Sequence, residues 1–334
     1  MKVYFFGVES WEKLHIERMI KELNLNIDYK LYETALNEVD INEIKDAEIL
    51  NVFIYSEIDK KVIDSLPNLK MIITRSASYD HIDVEYAKQK GIVVSHIPDY
   101  GNNTVAEFVF AMILALARKL KPLIEKIHKH EFDRYSLLGM DLMGKTIGLV
   151  GAGNIGSHIA RIAHGFGMNI LAYDKNKRED LVQKYGVKYV GLEDLLREAD
   201  IISVQLPYNK STKYLINRFN IKLTKMKAML INVSRGQVVE LEAIVEALKE
   251  GRLAGGVAID TIEDELQEEE LRKKDITPVK LKKLVEEFYV LNEDNVILSP
   301  HLAYYTKDAL ERLIDLSLEE IKRFIENKPL KYAI

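Results

Sequence analysis

Two doubly wound parallel-sheet domains of the α/β class are expected from this chain on three grounds. Short runs of β-branched and aromatic residues alternate with amphipathic segments from end to end, the pattern of parallel strands joined by crossover helices. A Gly151-x-Gly153-x-x-Gly156 turn falls between an apolar run and a helical pattern. The third ground is length, since 334 residues exceed one ordinary domain and leave room for two.

The elements follow in order. Met1-Lys2-Val3-Tyr4-Phe5-Phe6-Gly7 reads as a first core strand. Val3–Phe6, Ile49–Tyr55, Met71–Thr74 and Val93–His96 are the strand candidates of the first hundred residues. Gly101-Asn102-Asn103 then punctuates the chain, and an apolar-periodic stretch from Thr104 to about His128 predicts one long helix. A second strand series comprises Thr146–Val150, Ile170–Tyr173, Ile201–Gln205, Met229–Val233, Val257–Ile259 and Val296–Leu298. Helical patterns such as Ile155–Phe166 and Glu240–Glu250 lie between them, and the charged stretch Glu263–Lys274 reads as a solvated loop or helix. A last helix, Lys307 to Glu326, follows the final strand and is expected to return to the first unit. The first domain is then discontinuous, residues 1–101 plus 300–334, with 102–299 as the second.

Composition excludes several classes. An apolar share of 47% can bury a large core, and 30% charged residues keep the surface wet. The net charge of −5 comes from scattered residues of both signs, so neither nucleic acid nor a membrane surface is an expected partner. The longest apolar run, Phe108–Ala117, is too short to span a bilayer. The amino terminus lacks the features of a secretory signal, and a cytoplasmic location is expected. There is no cysteine, which removes disulfides, thiol nucleophiles and thiolate metal sites.

The glycine turn is the first chemical feature. Gly151 allows the sharp turn, Gly153 admits a pyrophosphate to the backbone, and Gly156 lets helix pack closely on strand, with Asn154 and Ile155 opening the helix. Asp174 ends the next strand eighteen residues on (174 − 156), where a carboxylate holds ribose hydroxyls. That carboxylate repels a 2′-phosphate, which favours NAD over NADP. Lys175, Lys177 and Arg178 would take the phosphate only if Asp174 turned away.

Downstream come Asn232-Val233-Ser234-Arg235-Gly236, Asp260-x-x-x-x-Glu265 and Ser299-Pro300-His301. Arg235 is a permanent cation that can grip carboxylate and carbonyl oxygens together. His301 titrates near neutrality and can exchange a proton in both directions. Glu265 would hold His301 in one tautomer and favour its protonated form. The parts suit hydride transfer to a carbon that carries oxygen. The alternative for each residue alone is ordinary: a surface ion pair for Arg235, a solvated acid for Glu265, a loop cap for His301. His128 and His130 sit in a charged helix end, and His15, His81, His96, His158 and His164 show no ligand spacing, so no metal is expected.

These motifs resemble the D-isomer-specific 2-hydroxyacid dehydrogenases over nearly the whole chain, most closely the D-lactate dehydrogenase branch. The similarity includes residues 74–83 (TRSASYDHID), 100–107 (YGNNTVAE), 144–148 (GKTIG), 231–236 (INVSRG) and 300–306 (PHLAYYT). It implies a Rossmann NAD domain and a smaller flavodoxin-like substrate domain with a cleft between them. It makes Arg235, Glu265 and His301 the catalytic set. It assigns substrate binding to the amides of Ala77 and Ser78 and to Tyr100 and Tyr304. Val105, Leu206, Pro207, Thr212, Val233, Ser234, Asp260 and Ala303 join the glycine turn as cofactor contacts, with Asp260 accepting from the carboxamide. A homodimer that the helix bearing the apolar face Val105–Leu120 helps to form is also implied. Three positions depart from the family pattern: Ser78 stands where glycine is usual, Phe108 and Gln205 where histidine is frequent.

The expected reaction is NAD-dependent reduction of a small 2-keto acid to a D-2-hydroxy acid, pyruvate to D-lactate first among them. A glyoxylate, hydroxypyruvate or branched 2-keto acid reductase is the alternative within the class. An NAD-binding co-repressor-like interaction module is the alternative outside it.

Overall fold

The computed structural model describes residues 1–261, 286, 289–290 and 292–334. Glu265 and the charged stretch Glu263–Lys274 lie outside the described residues. The chain divides into two compact units, Met1–Gly101 with Tyr305–Ile334, and Asn102–Tyr304.

The first unit runs β1 (Lys2–Phe5), α1 (Ser10–Glu22), β2 (Asp28–Leu31), β3 (Ile49–Val52), α2 (Lys60–Ser65), β4 (Met71–Thr74), α3 (Val84–Gln89) and β5 (Val93–His96). Its five strands are all parallel in the order β2-β1-β3-β4-β5. Central strands β3 and β4 are buried along their whole length, as strands covered on both faces must be.

The second unit opens with α4 (Asn102–Ala117) and α5 (Leu120–His128). The single helix expected from Thr104 to His128 is therefore two, and Pro122 supplies the reason. In a continuous helix its ring would strike the carbonyl of Arg118 and its missing N–H would break the ladder. The chain instead turns left-handed at Lys119 (φ 54°, ψ 39°), the amide of Met140 takes the Ala117 carbonyl at 3.0 Å, and Pro122 falls in the first turn of a new helix.

The unit continues through β6 (Thr146–Val150), α6 (Asn154–Gly165), β7 (Asn169–Tyr173), α7 (Glu179–Tyr185), β8 (Lys188–Tyr189), α8 (Leu192–Glu198), β9 (Ile201–Val204), β10 (Met229–Asn232), α9 (Leu241–Lys249), β11 (Gly256–Ile259) and β12 (Val296–Leu298). Its seven strands are also parallel, ordered β12-β11-β10-β9-β6-β7-β8. No helix among the described residues is long and apolar enough to cross a membrane.

α10 (Lys307–Ile325) belongs to the first unit and is fixed there by buried polar groups. Ser317 Oγ accepts from Asn51 Nδ2 (3.1 Å), and His15 Nε2 meets Asp315 at 2.7 Å. Glu320, 1% exposed, accepts from the amides of Lys331 and Tyr332 and from Ser95 Oγ.

Arg75, 2% exposed, extends this network. It donates to Asn51 Oδ1 (2.8 Å) and to the carbonyls of Phe6 (3.0 Å) and Gly7 (2.8 Å). Burial pushes the nearby Glu12 carboxyl up, while the Arg75 guanidinium pulls it back. Arg75→Met would leave three acceptors without a donor in a dry interior. A loss of about 3 kcal/mol is expected in urea unfolding followed by circular dichroism, and an unchanged midpoint would contradict the role given to the network.

Candidate active site

The glycine turn is shaped by close packing. β6 ends at Val150, Gly151 adopts φ +105°, and α6 starts at Asn154. A Cβ on Gly156 would lie 2.3 Å from the Gly151 carbonyl oxygen, so only glycine permits this approach. That oxygen accepts from Gln205 Nε2, whose own Oε1 accepts from Ser203 Oγ (2.7 Å). Gly153 is exposed, and a Cβ there would meet nothing within 4 Å.

Asp174 follows β7. Its Oδ2 accepts from the Ala152 amide (2.7 Å) and its Oδ1 from the Asn176 amide (2.8 Å), so the carboxylate is held against the turn. Beside it opens a cavity of about 440 Å³ lined by Gly153, Asn154, Asp174, Leu206, Pro207 and Thr212 among others. Thr212 Oγ1 donates to the Pro207 carbonyl (2.7 Å) and accepts from the Asn209 amide (2.8 Å), fixing the far wall. A helix N-terminus open to an anion, a carboxylate for hydroxyls and apolar walls fit a dinucleotide. Val105, Ala152, Val233 and Ala303 are buried in one apolar cluster, with Ile155 and Tyr304 packed against it, while Leu206 packs on the other core of this unit.

β10 delivers Arg235. Buried Asn232 accepts from the Ser234 amide (3.1 Å) and Ser234 Oγ (2.6 Å), which ties the strand end into a tight turn. Arg235 then stands exposed on extended backbone, its Nη1 donating to the Ser234 carbonyl at 2.9 Å.

His301 is delivered by a second turn, and Asp260 organises it. Asp260 is 2% exposed. Its Oδ1 accepts from Ser299 Oγ and from the amides of Leu302 (2.9 Å) and Ala303 (3.2 Å), and its carbonyl accepts from the His301 amide at 2.8 Å. The resemblance implies that this carboxylate accepts from a carboxamide; the donors it has within the chain belong to the turn that presents His301. His301 has φ +55°, a left-handed conformation that costs a histidine about 1 kcal/mol or more and persists only where neighbours impose it. The Tyr304 ring stands edge-on to the imidazole, centroids 5.9 Å apart.

In the first unit, Ala77 and Ser78 follow β4 directly. Ser78 is not among the residues with positive φ, so the position does not require glycine, and its hydroxyl is turned to Asp80 (2.7 Å). The Tyr100 carbonyl accepts from Arg312 Nε at 3.0 Å. Asn232 and Ser299 stand in the sequence motifs without a role of their own, and Asn209 stands in none of them. Each is a short polar residue beside a strand end or turn, which is a signal for local backbone bonding but not for which turn it serves.

Two all-parallel α/β units, one of them with this turn and carboxylate, define an NAD-dependent dehydrogenase. The model of the D-isomer specific 2-hydroxyacid dehydrogenase NAD-binding domain matches residues 110–303, and the chain belongs to that family. A glyoxylate reductase of Pyrococcus furiosus is 33% identical over 327 residues, covering 93% of this chain and 92% of the relative. The structure of D-lactate dehydrogenase from Aquifex aeolicus, complexed with NAD and lactic acid, superposes with TM-score 0.82 at 37% identity, over 97% of this chain and 96% of that one. The pyruvate reductase of Chlamydomonas reinhardtii gives TM-score 0.85 at 27% identity over 99% and 98%.

Gly156→Ala tests the turn. A methyl group against a backbone oxygen must force helix and turn apart, so NADH affinity is expected to fall about tenfold or more in calorimetric titration. Wild-type affinity would contradict the packing described.

Proposed function

We propose that the protein reduces pyruvate to D-lactate with NADH. One observation carries the reading: a guanidinium and an imidazole are each presented just beyond the carboxyl end of a parallel strand, on turns fixed by buried Asn232 and Asp260, in the unit that holds the glycine turn. Likeness to an enzyme solved with lactic acid supports pyruvate as the substrate.

Bound NADH supplies the hydride to the keto carbon. Arg235 binds the substrate carboxylate and polarises the carbonyl, and His301 gives its proton to the oxygen as the alkoxide forms. Glu265 favours the protonated imidazole. The amides of Ala77 and Ser78 take the carboxylate, and Tyr100 and Tyr304 wall the side chain. Asn154 and Ile155 with the three glycines hold the pyrophosphate, and Asp174 holds the adenosine ribose. Val105, Leu206, Pro207, Thr212, Val233, Ser234, Asp260 and Ala303 line the rest of the cofactor site.

A second reading, reduction of glyoxylate, is favoured by the archaeal relatives. NADH oxidation over a panel of 2-keto acids, run beside His301→Ala, separates the two. Fast pyruvate turnover, with kcat lower by about a hundredfold or more in the variant, is the expected result. Preference for glyoxylate would replace the substrate and keep the mechanism. Tight NADH binding with no turnover would leave an NAD-binding interaction module.

We further propose a homodimer seated on α5 rather than on α4, whose Val105, Val109, Phe110, Ile113 and Leu116 are buried within the chain. This helix buries none of its residues in the chain's own core, and it exposes Leu120, Leu123, Ile124 (55%) and Ile127 on an amphipathic stretch. Light scattering is expected to give twice the chain mass, and Ile124→Glu with Ile127→Glu to give a monomer. A monomeric wild type would refute it.

A further inference from the structure

The backbone after β4 leaves three successive amides, of Ala77, Ser78 and Tyr79, with no acceptor among the described residues. The carbonyls between them are, by contrast, both held. His96 Nδ1 bonds the Ala77 carbonyl at 2.9 Å, and Ser76 Oγ donates to the Ser78 carbonyl at 2.5 Å. In a trans peptide the C=O and N–H point in opposite directions. Fixing the Ala77 oxygen therefore aims the Ser78 N–H the other way, and fixing the Ser78 oxygen does the same for the Tyr79 N–H.

Proton counting extends the chain. The single hydroxyl proton of Ser76 is spent on the Ser78 carbonyl, so at their 2.7 Å contact the Thr74 hydroxyl must donate to Ser76. The Thr74 proton is then also spent, so at 3.1 Å His81 Nε2 must carry the hydrogen and donate to Thr74. Burial pushes the His81 imidazole down, against the pull of Asp80, and the hydroxyl proton count is what assigns the hydrogen to Nε2. Thr74 and Ser76 are both buried, and β4 pairs Thr74 with His96 at the end of β5, so the whole relay rests on the sheet edge.

We infer that the His81–Thr74–Ser76 relay, with His96, consists of positioning residues that hold the Ala77–Tyr79 backbone as a preformed receptor for the substrate's carboxylate. This rests on the reading of the chain as a 2-keto acid reductase. It also accounts for Ser78 in place of the usual glycine: the loop is held by its carbonyl, and the serine side chain is directed away to Asp80.

The test is steady-state kinetics with pyruvate and glyoxylate on Thr74→Val, which keeps the shape and deletes the hydroxyl, and on Thr74→Ser, which restores it. Ser76→Ala carries the same test should Thr74→Val fail to fold. The expected result is a KM for the keto acid raised about tenfold in Thr74→Val and Ser76→Ala, kcat changed little, NADH affinity unchanged, and a Thr74→Ser enzyme close to wild type. A Thr74→Val or Ser76→Ala enzyme with wild-type KM would overturn the relay while leaving the proposed reaction intact. A wild-type protein that turns over neither acid would overturn the reaction itself, and the receptor with it.

Discussion

Parallel pairing is the constraint on which the rest of the structure depends. Every strand pair in both sheets is parallel. A parallel sheet must bring each strand back through a crossover, so the carboxyl ends of all strands in a sheet gather along one edge. Chain leaving that edge has lost its ladder partners and must find others. Here the partners are short polar side chains at or just beyond the strand ends. Thr74 and Ser76 serve β4, Asp174 serves β7, Asn232 serves β10 and Asp260 serves β11. The same groups that satisfy the backbone aim the residues assigned to chemistry.

This economy explains why burial and function overlap. Asp260 is nearly inaccessible, yet its carboxylate reaches three groups of the turn 299–303, and that turn carries His301. A buried carboxylate without donors would be costly. Supplied with a hydroxyl and two amides, it instead imposes the left-handed backbone that His301 would not adopt unaided. Arg75 and Glu320 apply the same logic to architecture, where they fix α10 and the C-terminal segment to the first unit rather than a loop to its site.

Much of the fold is legible because most strands, the edge strands β5 and β12 included, are short runs dominated by apolar residues. Met71–Thr74, Val93–His96, Thr146–Val150 and Val296–Leu298 match the expected limits residue for residue. The strands not read from the sequence are β2 and β8; both lie at sheet edges, and unlike the edge strands β5 and β12 they are charged or very short, β2 carrying Asp28 and Lys30 and β8 being only Lys188–Tyr189. The helix break was missed although Pro122 announced it, because apolar periodicity continues across the break. In the site, the glycine turn and Asp174 could be read since strand, turn and helix are contiguous in sequence. The relay could not: His81, Thr74, Ser76 and His96 are joined by a loop and by strand pairing, and no spacing rule connects them.

The hydroxyl relay and the glycine turn present the same physical object by different means. Around Gly151 the backbone is bent by removing side chains, and the price is that no substitution is tolerated where a Cβ would fall 2.3 Å from a carbonyl oxygen. Around Ala77 the amides are bared without glycine, by taking their neighbouring carbonyls out of play. The second device leaves the side chains of Ala77 and Ser78 free to vary while the receptor stays fixed. In the proposed receptor a carboxylate would be met by backbone amides alone, so a change of side chain at either position would leave its ligands in place, with the Ser78 hydroxyl kept apart on Asp80.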